Sequence, residues 1–148
     1  MARASIFEFA GGEPAFLALA AALHERCLAD PELNHPFSNA GPQHIENLAA
    51  YWVEVFGGPA RYSKSLGGHS GMLGLHAGRG AGDDLGRRFA ACFMAAVDDA
   101  HMPDDAEFRA SLRAYIESAV AEVIAISPAG SAVPEDLPVP HWSWDGPV

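Results

Sequence analysis

The chain has 148 residues, enough for one domain with a single sizeable core or one enclosed pocket. Its 9 Lys and Arg stand against 19 Asp and Glu, a formal net charge of -10 with an isoelectric point of about 4.9. That balance opposes phosphate backbones and anionic lipid, so neither nucleic acid nor a membrane is expected as a partner.

Met1 to Ser5 do not lead into the apolar run of roughly 7 to 15 residues that a secretory leader needs, and no later run nears the ~20 residues of a membrane span. A soluble, cytoplasmic protein is expected. Ile6 to Ala10 form a short apolar-acidic piece ended by Gly11-Gly12. Glu13-Pro14 then opens a helix running to about Ala29, with Leu17, Ala20, Leu23, His24, Cys27 and Leu28 on one stripe. Pro31 to Gly41 is dense in turn residues. Pro42 to Phe56 predicts a second strong helix, with Ile45, Leu48, Trp52, Val55 and Phe56 on its stripe and His44, Leu48 and Tyr51 along one edge; Gly57-Gly58-Pro59 stops it.

Tyr62 to Gly68 reads as a loop. The following "GGHSGMLGLHAG", residues 67 to 78, predicts a short, glycine-weakened helix from about Ser70 to Ala77 that carries His69 and His76. After the break at Gly78 to Gly82, Asp83-Asp84 opens a helix bearing Leu85, Phe89, Cys92, Phe93, Ala96 and Val97. The clearest periodicity, Phe108, Leu112, Tyr115, Ile116, Ala119, Val120, Val123 and Ile124, predicts a last helix over about 105–126. No period-two pattern competes, so the fold class is all-α. Cys27 and Cys92, both inside helical patterns, supply neither a disulfide framework nor a zinc site and read as buried thiols.

Residues 128 to 148 hold five prolines and exclude a helix of any length. Trp142 and Trp144 are costly to leave in water, and two readings stay open: a disordered tail, or an extended tail docked on the domain or on a second subunit.

Three motif readings fail on context. Gly68-His69-Ser70-Gly71-Met72 lacks the fifth-position glycine and preceding strand of a nucleophile elbow. Gly78, Gly80 and Gly82 follow a helix where a dinucleotide fingerprint needs a strand. The one Glu-x-x-His spacing, Glu32 to His35, lies between two prolines in a turn and cannot build a di-iron helix face.

What remains is three histidines, His24, His44 and His76, each on or beside an apolar helical stripe. A lone histidine so placed reads as a core imidazole bonded to backbone. Three on consecutive helices fit a haem: one neutral nitrogen for iron, an apolar sleeve, and a distal group to act on bound gas.

These residues are similar to the truncated haemoglobin family, in particular its second group, from Phe7 to about Ser127. The resemblance rests on Phe7-x-x-x-Gly11-Gly12, Leu28-Ala29-Asp30-Pro31, Pro36-Phe37, Val55-Phe56-Gly57-Gly58-Pro59-x-x-Tyr62-Ser63, and Gly68-His69 leading to His76-Ala77. It implies a two-over-two helical sandwich as a haem domain over residues 1–127, with a Pro-rich tail over 128–148, and haem b as cofactor. It implies His76 as the proximal iron ligand, and Phe37, His44, Leu48, Tyr51, Trp52, Tyr62, His69, Met72, Leu73 and Phe89 as residues around the cofactor.

His24 stands where the family usually has a tyrosine that hydrogen-bonds oxygen. Either His24 or His44 is then a distal catalytic group or a sixth iron ligand, and sequence does not choose between them. Phe89 replaces a tryptophan, and Met72-Leu73 replaces a Leu-Arg pair whose arginine holds haem propionates; Arg61, Lys64 or Arg79 are the substitutes available. Arg79 and Ala81 replace bulky apolar residues of the proximal wall. His69 is expected to cap or to stand at the propionate edge, against a solvated loop position.

The implied function is binding of oxygen, nitric oxide or carbon monoxide, with nitric oxide dioxygenase or peroxidase-like detoxification as a further step served by a reductase. The alternative is a non-enzymatic globin-like sensor or interaction module with six-coordinate or absent haem. Monomer and homodimer both stay open.

Overall fold

The computed structural model describes residues 3–34, 38, 41 and 43–148. Among them seven helices run in order: α1 Ile6–Ala10, α2 Glu13–Ala29, α3 Gln43–Val55, α4 Arg61–Ser65, α5 Gly68–His76, α6 Asp83–Asp99 and α7 Ala106–Ala125. Polar residues at the element ends set several boundaries. Ser5 Oγ accepts from the Glu8 amide at 3.1 Å to open α1, and Asp105 accepts from the Phe108 amide at 2.8 Å to open α7. Gly11, at φ +117°, takes the left-handed conformation that ends α1.

α2 packs on α3 and on α6, and α6 packs on α7, so two helix pairs lie one over the other. Phe16 and Phe56 stack at 5.7 Å, Phe56 meets Tyr115 edge-on at 4.9 Å, and Trp52 meets Phe93 edge-on at 5.2 Å. These rings join α2, α3, α6 and α7 through one apolar interior. The all-α sandwich is therefore the architecture present. Cys27 lies within it, and burial pushes its thiol up to about 12; Cys27 and Cys92 are both free thiols. No helix among the described residues is long and apolar enough to cross a membrane.

Two features depart from the helix pattern of the sequence. Residues 61–65 form α4 where a loop is expected. The cause lies outside the segment: buried Glu54, at the end of α3, accepts from the Ser63 amide at 2.8 Å and from the Ser63 hydroxyl. A carboxylate on the first turn of a helix satisfies an amide that would otherwise be orphaned and suits the dipole there.

The second is the C-terminal segment, which lies on its own domain. Val139 is buried, and Trp142–Ser143 pairs antiparallel with Gly146–Pro147 as a minimal ribbon of strands β1 and β2. Trp142 meets Tyr115 edge-on at 5.6 Å, while Trp144 meets Phe9 at 5.1 Å and donates from Nε1 to the Ala4 carbonyl at 2.8 Å. The Arg3 guanidinium lies 3.6 Å above the Trp144 ring, which closes the two termini together.

Candidate functional site

α5 is short and contains Gly68, Gly71 and Gly74, each a helix interior or entry position that costs helical stability relative to alanine. Only His69 and Leu73 of its residues are buried. Its last residue, His76, is exposed, and Nδ1 lies 2.9 Å from the Met72 carbonyl one turn earlier. A carbonyl only accepts, so Nδ1 carries the proton and donates; in the neutral imidazole, Nε2 is left with a lone pair. That tautomer and orientation are those of a metal-ligating histidine held by its other nitrogen. Leu75, the preceding residue, is an apolar side chain 64% exposed. Gly71 and Gly74 have open space where a side chain would stand.

Across the fold, His24 on α2 and His44 on α3 bring their rings to 5.7 Å between centroids, with planes inclined by 51°. Both are half-buried. Burial, then the neighbouring His24, then His76 hold the His44 imidazole below the ordinary histidine range. Three histidines from α2, α3 and α5 thus share one electrostatic neighbourhood, with His44 biased to the neutral form. Leu48, Met72 and Phe89 are half-buried against the apolar interior.

Other predicted residues form a second cluster. His69 is 4% exposed and lies within α5, not on a solvated loop. Its Nε2 lies 2.9 Å from a Glu122 carboxylate oxygen on α7, and its Nδ1 lies 2.8 Å from the Tyr51 hydroxyl on α3. The carboxylate accepts from Nε2–H, and Nδ1 shares a second hydrogen bond with the Tyr51 hydroxyl. Burial pushes the Tyr51 phenol well above the usual tyrosine range, so it keeps its proton. Tyr62 of α4 meets Tyr51 edge-on at 5.0 Å and is itself buried, as is Leu73. The cluster ties α5 to α3 and α7.

Trp52 of α3 is buried. Its indole meets Phe93 edge-on within the apolar interior. Phe37 lies outside the described residues. Of the substitute cations, Arg79 donates from Nε to the Leu75 carbonyl at 2.7 Å, beside His76, whereas Arg61 and Lys64 are exposed on α4.

Three side chains that shape the site carry no signal in the sequence pattern. Glu122 occupies an outward position of α7, Glu54 an acidic position in an apolar run, and Ser70 a place among glycines. Each takes its role from a partner outside its own helix.

The donor set suits a haem. His76 offers an imidazole whose Nδ1 is held by the Met72 carbonyl, and two further imidazoles, His24 and His44, lie together on α2 and α3. A separate hollow of about 220 Å³, lined by Leu17, Ala50, Val53 and Arg61 among others, contains none of these histidines.

Residues 5–121 match the family model of the bacterial-like globins. The fold is similar to the haemoglobin of the thermophilic phototrophic bacterium Chloroflexus aurantiacus, at 26% identity over 82% of this chain and 98% of that one, with a TM-score of 0.72. It is similar to a thermostable haemoglobin of the actinobacterium Thermobifida fusca, at 28% identity over 82% and 97% of the two chains, with a TM-score of 0.71. The group II truncated haemoglobin of Bacillus anthracis shares the fold at 17% identity over 84% and 93%, with a TM-score of 0.74. No curated protein matches the chain.

Proposed function

The chain belongs to the bacterial-like globin family, and on that premise we propose that it holds haem b through His76 and binds diatomic gases between His76 and the His24–His44 pair. The observation that carries this reading is the Nδ1–H of His76 donating to the Met72 carbonyl, which leaves Nε2 as the ligating atom. Haem b supplies an iron that accepts oxygen, nitric oxide or carbon monoxide and exchanges electrons with them.

The protein's own part is orientation, exclusion of water and proton handling. Leu48, Met72 and Phe89 contribute apolar surface. His24 and His44 put two imidazoles at one place, where an N–H steadies a polar guest and a neutral nitrogen takes a proton. The depressed proton affinity of His44 keeps it ready to accept at neutral pH. On this reading redox detoxification, as nitric oxide dioxygenation or peroxide cleavage, draws its acid–base group from this pair and its electrons from a reductase.

Titrating the protein with haemin, then reducing it under carbon monoxide, tests the proposal. Stoichiometric growth of a Soret band that shifts on carbonylation is expected in the unsubstituted chain. No band above that of free haemin would refute it.

A further inference from the structure

The helix that carries His76 is poorly able to hold itself, and the chain's last segment grips it at both ends. At its C-terminal end, Gly78 and Gly80, at φ +71° and +74°, turn their amides onto the carbonyls of Ile126 and Ser127 just past α7, at 2.9 and 2.8 Å. Ser127 is itself buried and donates from Oγ to the Val123 carbonyl at 2.8 Å, which fixes those acceptors to α7. At the N-terminal end, the Ser70 hydroxyl donates to the Pro134 carbonyl at 2.7 Å and accepts from the Leu137 amide at 2.8 Å. One side chain thus closes two hydrogen bonds to the tail. Beyond Leu137 the tail is anchored by buried Val139 and by Trp142 on Tyr115.

We propose that residues 126–137 are a strap that positions α5, with Ser70 as its buckle, and so sets how firmly His76 is presented to the haem iron. This rests on the reading of His76 as iron ligand. A helix with glycine at three of its nine positions has little intrinsic stiffness. Its placement therefore depends on bonds made from outside, and Ser70 lies six residues, under two turns, before the ligand. Ser70 touches no predicted haem contact through these bonds; it acts on the iron through α5.

The test compares Ser70→Ala, Ser70→Thr and Trp142→Ala in the full chain, loaded with haem. The readouts are haem loss to an acceptor apoglobin and the iron–histidine stretching band of the ferrous protein. Ser70→Ala is expected to lose haem on the order of tenfold faster, the consequence of two missing hydrogen bonds, and to shift or broaden the stretching band. Ser70→Thr, which restores a hydroxyl, is expected to return both readouts toward the unsubstituted chain. Trp142→Ala, which loosens the tail without touching α5, is expected to move both in the same direction as Ser70→Ala. Haem loss and stretching band unchanged in Ser70→Ala and Trp142→Ala, with haem normally bound, would overturn the strap alone. Failure of the unsubstituted chain to bind haem would overturn the haem reading, and the strap's role toward iron with it.

Discussion

His24 and His44 come from different helices and meet with ring centroids 5.7 Å apart, close enough that His24 helps hold the His44 proton affinity down. On the proposed reading both imidazoles are available to the bound gas. Their division of labour is measurable. His24→Leu is expected to raise the oxygen dissociation rate about tenfold, as loss of one ligand hydrogen bond of ~1 to 1.5 kcal/mol requires. Unchanged rates in both His24→Leu and His44→Leu would show that neither imidazole reaches the ligand.

His44 also makes stability depend on pH. Its proton affinity is lower in the folded chain than the ordinary value of 6.5, chiefly through burial. The unfolded chain therefore binds more protons near and just below that pH, and stability rises with pH across this window. The contribution is fully present above 6.5 and is lost as pH falls through the lower, folded-state value. Thermal melting between pH 7.5 and pH 5 checks this: His44→Gln is expected to show a shallower loss on acidification than the unsubstituted chain, and an identical pH profile would contradict it.

The Tyr51–His69–Glu122 chain makes a separate prediction. Tyr51→Phe removes the hydrogen-bond partner of a buried ring nitrogen and is expected to cost about 1 to 3 kcal/mol in urea denaturation. Pairing it with Glu122→Gln is expected to give less than the sum of the two single losses, because both act on one imidazole. Strict additivity would show that the three groups do not work as a unit.

Gly58 tests the corner after α3. A Cβ there would lie 2.5 Å from Val53 Cγ1 and 2.9 Å from Phe7 Cδ1, so Gly58→Ala forces a valine and a ring apart at once. A loss of about 1 to 3 kcal/mol is expected from the overpacking. A neutral outcome would mean that α1 can move away from α3 freely.

The periodic helices were legible because burial repeats along them, and His24, His44 and His76 could be singled out by lying on or beside those stripes. Contacts that cross the fold were not. α4 owes its first turn to Glu54, and His69 owes its burial to Tyr51 and Glu122; neither debt leaves a local pattern. Trp52 shares a stripe with pocket candidates, and its edge-on contact with Phe93 is made by a neighbouring helix. Proline content ruled out a helical tail, but only the Trp142–Tyr115 and Trp144–Phe9 contacts decide that the tail docks.

The central claim is that His76 Nε2 is the iron ligand, and the most direct measurement is the iron–histidine stretch of the ferrous haem protein for the unsubstituted chain and for His76→Gly with and without added imidazole. The account predicts a histidine stretch in the unsubstituted chain, its loss in His76→Gly, and its return, at an altered frequency, when imidazole occupies the space left by the side chain. Persistence of the native stretch in His76→Gly without imidazole would assign the proximal bond to another histidine and contradict the account.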